Sequence, residues 1–147
     1  MAVAMRVSHL LCAPPACSVS GNGSSRIDGF TLRNGKASYG GGINCRGSSP
    51  TISNNTIAGN SANGYGGGIA CYSSFTVISN NTITGNSAGY GGGGGVCSGS
   101  SLVISNNIVA FNSSGLSGSG GTPTLRNNCV YNPAGANYSG LSAGIGD

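Results

Sequence analysis

Residues 51–62 read TISNNTIAGNSA, and nearly the same letters return at a fixed interval along the chain. The other copies are VISNNTITGNSA at 77–88, VISNNIVAFNSS at 103–114, the shorter TLRNNCVYNPA at 124–134 and the degenerate RIDGFTLRNG at 26–35. The steps from Asn54 to Asn80 and from Asn80 to Asn106 are both 26 residues, and the last step, to Asn127, is 21. A fixed period of this length indicates a repeat architecture, in which each unit buries its apolar face only by stacking on its neighbours.

The apolar positions within one period predict short strands rather than helices. They are Ile43, Cys45, Ile52, Ile57 and Ala62, with Gly, Ser and Asn between them. This spacing fits no helical stripe, whereas three short strands separated by turns account for it. We therefore expect an all-β parallel β-helix, a solenoid over residues 26–134, with about four to five coils that reach roughly 20–25 Å in height.

In a second repeated motif, YGGGINC at 39–45 and YGGGIAC at 65–71, three glycines come before a strand that carries Ile43 and Cys45 or Ile69 and Cys71. Its glycines allow tight corners and close backbone approach. In the looser copy YGGGGGVC at 90–97, keeping Cys97 in register with Cys71 places Gly95 at the position of Ile69 and turns Val96 outward. A bulge in the five-glycine run would resolve that conflict.

The paired asparagines predict a structural ladder. Asparagine tolerates the left-handed backbone of a sharp corner, and its amide can bond the equivalent amide of the next coil. The predicted ladder is Asn54, Asn80, Asn106 and Asn127, with a second corner at Asn60, Asn86 and Asn112. The predicted inward stack is Ile52, Ile78 and Ile104 with Cys45 and Cys71. Asn54 and Asn80 also begin glycosylation sequons, which corner asparagines explain without a sugar.

These repeats resemble a known family. The string GGGINC…SPTISNNTIAGNSA is similar to the right-handed parallel β-helix repeats of the pectin-lyase-like superfamily, and GGGI with the following Asn motif resembles repeats of bacterial polymorphic outer-membrane proteins. The resemblance covers roughly residues 26–134. It implies a right-handed coil and an extracellular or cell-surface location. Because members range from polysaccharide lyases and hydrolases to adhesins, it implies no single activity.

The composition excludes several function classes. The chain has 147 residues, 29 of them glycine, and only six Lys and Arg against two Asp and Glu, for a net charge of +4. No charged residue occurs from Gly47 through Leu125, so we expect no nucleic-acid partner. No apolar run is long enough for a membrane span. The acids are Asp28 and Asp147 alone, too few for calcium repeats, so we expect no metal and no cofactor.

Two residue sets are candidate ligand-binding residues. The basic residues Arg26, Arg33, Lys36 and Arg46 gather near the first coil, where they would hold an acidic polysaccharide or protect an edge strand from pairing. The tyrosines Tyr39, Tyr65 and Tyr90 recur beside the glycine corners, where they would stack on sugar rings or cover their own turns. We name no catalytic residue, since two carboxylates must flank a glycosidic bond and Asp28 and Asp147 belong to opposite ends of the rod.

The cysteines are open to two interpretations. Cys45 and Cys71 would face the same side of adjacent coils, at a separation that a disulfide can span. Burial as small apolar groups is the simpler expectation. Cys12 and Cys17 flank a Pro-Pro pair and would close a short loop, and the sequence lacks a compact Cys and His set for zinc.

The ends of the chain complete the predicted organisation. Residues 1–25 are a cap or lead-in segment, in which Val3, Val7 and Leu10 fit a short capping helix. Residues 135–147 are a tail or the start of a truncated coil. The leading hypothesis is a noncatalytic surface module with a structural, adhesive or carbohydrate-contacting role. The alternatives are an unusual or partial polysaccharide lyase or hydrolase, and a subunit that associates end to end with itself.

Overall fold

A computed structural model of the chain describes residues 17–19, 25–99 and 101–147, and for 17–19 and 96–98 it describes the backbone. The predicted capping helix at Val3, Val7 and Leu10 lies outside the described residues, as does Cys12. Four parallel sheets account for the strands of the described part.

Each sheet is a stack of equivalent short strands, one from each coil. Sheet A contains β1 (Cys17–Val19), β5 (Ile43–Arg46), β9 (Ile69–Tyr72), β13 (Gly95–Ser98), β16 (Leu116–Ser119) and β19 (Tyr138–Ser139). Sheet B contains β2 (Arg26–Asp28), β6 (Thr51–Ser53), β10 (Val77–Ser79), β14 (Val103–Ser105) and β17 (Thr124–Arg126). Sheet C contains β3 (Thr31–Arg33), β7 (Thr56–Ala58), β11 (Thr82–Thr84), β15 (Ile108–Ala110) and β18 (Cys129–Tyr131). Sheet D contains β4 (Lys36–Ala37), β8 (Ser61–Ala62) and β12 (Ser87–Ala88).

The chain visits the sheets in the order A, B, C, D and then returns to A, which confirms the predicted parallel β-helix. The prediction of three strands per period omits sheet D, whose strands are only two residues long. The later coils have fewer residues between sheet C and the return to sheet A. Gly95 pairs with Leu116 after 21 residues, whereas Ile69 pairs with Gly95 after 26, and the described part of the chain has no sheet D strand between β15 and β16.

The core is a set of apolar rows that run up the stack. In sheet B the row is Ile27, Ile52, Ile78, Ile104 and Leu125, and every member is buried. Sheet C adds Leu32, Ile57, Ile83 and Val109, and sheet A adds Ile43, Cys45, Ile69, Cys71 and Leu116. Each fully buried aliphatic side chain contributes about 1.5–3 kcal/mol. Stacking therefore supplies the apolar burial that no single coil could provide.

The backbone corner between sheets B and C corrects the predicted ladder. Asn54, Asn80, Asn106 and Asn127 adopt the left-handed conformation, with φ between 53° and 58°, and are exposed. They therefore make the turn, and the buried ladder does not run through them, although Asn54 Nδ2 donates to Asp28 of the neighbouring coil at 2.7 Å. The hydrogen-bonded ladder runs one residue later, through Asn55, Asn81, Asn107 and Asn128, each at most 2% exposed. Since successive side chains at the corner point to opposite sides, only the second asparagine of a pair can enter the interior.

Asn81 illustrates how completely the ladder satisfies its amides. Its Oδ1 accepts from the backbone N–H of Asn55 at 2.9 Å and from Asn55 Nδ2 at 3.0 Å. Its Nδ2 donates to the carbonyl of Ile52 at 3.0 Å and to Asn107 Oδ1 at 3.0 Å. All four hydrogen-bonding positions of the side-chain amide are thus used, which makes burial of these polar groups favourable.

A second ladder stands at the next corner, between sheets C and D. Its members are Asn60, Asn86, Asn112 and Asn132, all buried. Asn86 Oδ1 accepts from the N–H and the Nδ2 of Asn60 at 2.9 and 3.0 Å, in the same pattern as the first ladder. Its Nδ2 donates to the carbonyl of Ile57.

Both ladders are closed at the C-terminal end of the stack. Asp147 Oδ1 accepts from the N–H and the Nδ2 of Asn128 at 2.8 and 3.0 Å, so a carboxylate stands where the next asparagine would be. Asn137 Oδ1 accepts from the N–H of Asn132 at 2.7 Å. Residues 138–139 add strand β19 to sheet A, and Ile145 forms a single bridge with Arg126 of sheet B.

The glycine corner before sheet A is set by close approach of neighbouring coils. Gly66 has φ of 72°, and a Cβ at Gly68 would stand 2.5 Å from the carbonyl oxygen of Gly94. Strand β13 keeps Cys97 opposite Cys71 and Gly95 opposite Ile69, the register that cysteine spacing predicts. No helix among the described residues is long and apolar enough to cross a membrane.

Candidate functional site

A groove of about 500 Å³ lies on sheet A and is the candidate site. We call it the tyrosine groove. It is lined by Tyr39, Asn44, Arg46, Tyr65, Tyr72, Ser73 and Gly99. These residues come from three successive coils, so the stack assembles the groove.

Strand alternation explains which side chains reach this surface. In β5, Ile43 and Cys45 are fully buried, whereas Asn44 is half-buried and Arg46 is exposed. The register places Tyr72 of β9 directly beside Arg46. Because side chains of a strand alternate between its faces, burial of Ile43 and Cys45 turns Asn44 and Arg46 outward.

Three aromatic rings, Tyr39, Tyr65 and Tyr72, line the groove, and Tyr90 contacts one of them without lining the groove itself. Tyr39 meets Tyr72 edge to face, with ring centroids 5.9 Å apart and an interplanar angle of 88°. Tyr65 meets Tyr90 at 5.6 Å and 53°. Tyr39, Tyr65 and Tyr90 are 47%, 40% and 77% exposed, which leaves ring surface open to a ligand. Tyr39 also packs against the turn at Gly64, so one ring can cover a turn and still present a face.

Two polar atoms of the groove are shielded from solvent and have no hydrogen-bond partner among the described residues. They are Asn44 Oδ1 and the hydroxyl of Tyr72. An unmatched buried polar atom typically costs about 1–3 kcal/mol. Burial is the largest cause of the raised pKa of Tyr72, and the nearby Tyr39 and Tyr65 add to it. The phenol of Tyr72 therefore stays protonated and can donate a hydrogen bond. The wall of the groove therefore holds one unmatched acceptor and one unmatched donor, which a ligand reaches when the side chains that cover them move.

Ser73 adds a local backbone constraint. It has φ of 50°, whereas the equivalent positions one coil away are Gly47 and Gly99, at 62° and 59°. A non-glycine residue in this conformation is costly, and such strain concentrates at functional sites. Ser73, which carries a hydroxyl where Gly47 and Gly99 carry no side chain, thus lines the groove.

The four predicted basic residues do not form one patch. Arg26 lies in sheet B, Arg33 in sheet C, Lys36 in sheet D and Arg46 in sheet A. They lie near the same end of the stack, but on four different sheets around it. Of these four, only Arg46 lines the tyrosine groove.

Both acids of the sequence are engaged away from Arg46. Asp28 pairs with Arg26 at 3.2 Å, and hydrogen bonds from Ser53, Asn54 and Arg26 lower the pKa of Asp28. Burial alone would raise the pKa of Asp147, but hydrogen bonds from Asn128, Gly144 and Tyr138 outweigh it and lower that pKa. Since the chain has only two acidic residues, Arg46 is left as a cation with no carboxylate of its own.

The two carboxylates are too far apart to flank one bond. Asp28 is in β2 at the first position of sheet B, and Asp147 lies one coil beyond β17 at the last. At about 4.8 Å per strand, they are roughly 24 Å apart along the stack. Glycosidases that use two carboxylates need about 5–9.5 Å. This pair therefore cannot perform that reaction.

Cys45, Cys71 and Cys129 do not line the tyrosine groove. Cys45 and Cys71 lie opposite each other in β5 and β9 as buried thiols, whereas Cys129 is an exposed thiol. Within the described ranges, no group of three or more His, Cys, Asp or Glu side chains lies together as a metal site would require. His9 lies outside those ranges.

Sequence reasoning missed Asn44, Tyr72 and Ser73. A signal was available, because Tyr72 follows Arg46 by one period of 26 residues and therefore must lie beside it. The groove itself depends on how far neighbouring side chains extend over the sheet, which the period does not reveal.

Comparison with known protein families identifies the type of β-helix. A family model described as a right-handed β-helix region matches residues 13–145. No curated protein and no solved structure matches the chain. The matched span contains every residue that lines the tyrosine groove.

Proposed function

Because this chain belongs to the right-handed β-helix family, we propose that it is a noncatalytic surface or extracellular module that contacts glycans through the tyrosine groove. The observation that carries the proposal is the combination of open tyrosine faces with two unmatched polar atoms, Asn44 Oδ1 and the Tyr72 hydroxyl. Sugar rings present apolar faces and hydroxyls together, so one saccharide unit satisfies both features.

The charge at the groove favours an anionic saccharide. Arg46 lines the groove, and the two acids of the sequence lie elsewhere, Asp28 with Arg26 and Asp147 with Asn128. A guanidinium binds carboxylate or sulfate by parallel hydrogen bonds. A uronic acid or sulfated sugar would therefore place its anion on Arg46, its hydroxyl on Asn44 and its ring on the tyrosines.

The noncatalytic part of the proposal rests on the distribution of acids. Asp28 and Asp147 are about five strand spacings apart, roughly 24 Å, so they offer no acid and base pair across one bond. The end-to-end alternative gains no support from the C-terminal end, where Asp147 and Asn137 already occupy the ladder acceptor positions. A surface or extracellular location is part of the proposal and follows from the kinds of protein that these repeats resemble.

The test is retention on immobilised polygalacturonate and heparin, measured together with the chain length of the soluble polymers. We expect the protein to be retained and the polymers to keep their length. Arg46→Ser and Tyr72→Phe should each weaken retention about tenfold, since each removes one group that contacts the ligand. Arg33→Ser, which makes the same charge change on sheet C, is the matched control and should leave retention unchanged.

Two results would overturn this function. Shortening of the polymer would refute the noncatalytic assignment. Equal loss of retention in Arg46→Ser and Arg33→Ser would mean that net charge, and not the groove, holds the polymer.

A further inference from the structure

We propose a second saccharide-binding surface on sheet C, which takes the apolar face of an uncharged sugar ring and makes the module bivalent. We call it the aromatic corner. It consists of Ile108, Phe111 and Tyr131, which are 49%, 65% and 54% exposed. The bivalence rests on the proposed function of the tyrosine groove, whereas the corner itself can be tested independently.

Phe111 stands in a backbone position that other coils give to small or amide residues. Its φ is 56°, and the equivalent residues of the preceding coils are Gly85, Gly59 and Asn34, with φ of 63°, 63° and 62°. An aromatic residue in the left-handed region costs about 1–2 kcal/mol. Because the ring of Phe111 is exposed, burial of apolar surface does not offset this backbone strain.

The other two residues of the aromatic corner also stand where the preceding coils have smaller residues. Ile108 follows Thr56 and Thr82 in the sheet C register. Tyr131 follows Thr84 and Ala110. The coils of β7 and β11 thus present threonine, alanine and glycine at the positions where the coils of β15 and β18 together present Ile108, Phe111 and Tyr131. The apolar surface is confined to one part of one sheet.

The geometry of the two rings provides a platform. Phe111 and Tyr131 meet edge to face, with centroids 5.7 Å apart and planes at 84°. In this arrangement the edge of one ring supports the face of the other, so a ring face stays available for contact. The C–H face of a pyranose stacks on such a surface, and the hydroxyl of Tyr131 can bond a sugar hydroxyl.

The size of the corner selects a small occupant over a protein. Large aromatic side chains bury about 150–250 Å² each, so the exposed parts of Phe111 and Tyr131, together with the smaller Ile108, amount to about 300 Å². A stable protein interface needs about 800 Å² from each partner. None of the three residues is charged, so the surface suits a neutral sugar and differs from the groove, where Arg46 favours an anion.

The two surfaces face different directions, because the groove is on sheet A and the corner is on sheet C. One molecule can therefore hold two polymers, an acidic one at the groove and a neutral one at the corner. Simultaneous engagement of two sites raises overall affinity and links the polymers together.

The first experiment measures retention on a panel of immobilised neutral polymers: cellulose, mannan, galactan and chitin. We expect at least one to retain the protein, with retention unchanged between 0.1 and 1 M salt because no charge takes part. Phe111→Gly and Phe111→Asn should each weaken that retention about tenfold. Both variants restore a residue that this position carries in another coil, so they keep the fold.

The second experiment measures bridging, in which a polygalacturonate-coated surface and the protein together capture the neutral polymer from solution. Phe111→Gly should weaken bridging about tenfold and leave binding to polygalacturonate intact. Arg46→Ser should weaken bridging about tenfold and leave binding to the neutral polymer intact. Phe75→Ser is the control, since Phe75 is 73% exposed and belongs to neither site.

The outcomes separate the two proposals. Retention by no neutral polymer, or equal retention by the wild type and both Phe111 variants, would overturn the aromatic corner even if the groove binds acidic glycans. Concentration-dependent dimers in sedimentation that disappear in Phe111→Gly would also overturn it, because the occupant would then be a second copy of the chain. Neutral-polymer binding without binding to polygalacturonate or to heparin would support the corner and refute the groove.

Discussion

The two asparagines of each Asn-Asn pair should differ sharply in their contribution to stability. Asn81→Ala removes a side chain that makes four hydrogen bonds while 2% exposed. It leaves two donors of Asn55, the backbone N–H and one Nδ2–H, without partners in the interior. At about 1–3 kcal/mol for each stranded group, the expected loss of unfolding free energy is about 2–6 kcal/mol. Asn80→Ala loses only the tolerance of asparagine for a left-handed φ, about 1 kcal/mol.

The assay is urea unfolding of the wild type and the two variants, followed by far-ultraviolet circular dichroism. Asn81→Ala should lower the unfolding midpoint by several times as much as Asn80→Ala. Asn81→Asp is an informative companion, since it keeps the acceptor and removes the Nδ2 donors to Ile52 and Asn107. A larger effect at Asn80 than at Asn81 would refute the assignment of the ladder to the second asparagine.

Four further changes have defined outcomes. Ile78→Ala, in the middle of the sheet B row, should cost about 2–5 kcal/mol of unfolding free energy in the same urea assay. Gly68→Ala should prevent normal stacking, because its Cβ would stand 2.5 Å from the Gly94 carbonyl oxygen, and soluble expression with a wild-type dichroism spectrum would contradict that. Asp147 has a lowered pKa in the folded chain, so its contribution to stability is present above its usual value of 3.8 and is lost as the pH falls through the lower folded pKa. Thermal midpoints from pH 5 to pH 2 should therefore fall more steeply for the wild type than for Asp147→Asn. Phe111→Gly should leave the thermal midpoint within a few degrees of the wild type, since relief of the left-handed strain offsets loss of the contact with Tyr131.

The period and its apolar positions determine most of the fold from sequence alone. Equivalent residues 26 apart must stack, so Ile52, Ile78 and Ile104 identify a buried row without coordinates. The same arithmetic aligns Cys97 with Cys71. This works because a solenoid contacts only its nearest neighbours, and one repeat therefore specifies the surroundings of the next.

Only the tertiary structure shows whether the side chain of each corner residue faces the interior or the solvent. Sequence predicts that an Asn-Asn pair makes both a turn and a ladder, but a one-residue choice between Asn80 and Asn81 depends on where the backbone adopts a positive φ. The last coil is a similar case. Asp147 completes a ladder although it is not an asparagine and breaks the period.

The binding surfaces depend on both levels. The recurrence of Tyr39 and Tyr65 beside glycine corners is visible in the sequence, and so is Phe111 at a position that holds glycine in the two preceding copies. The sequence does not show in which direction each side chain points around the coil. Arg26, Arg33, Lys36 and Arg46 are close in sequence, yet they lie on four sheets, because each corner rotates the chain to a new face. Stacking along the axis follows from the period alone, whereas position around the axis follows from the corner geometry, which only the folded coil provides.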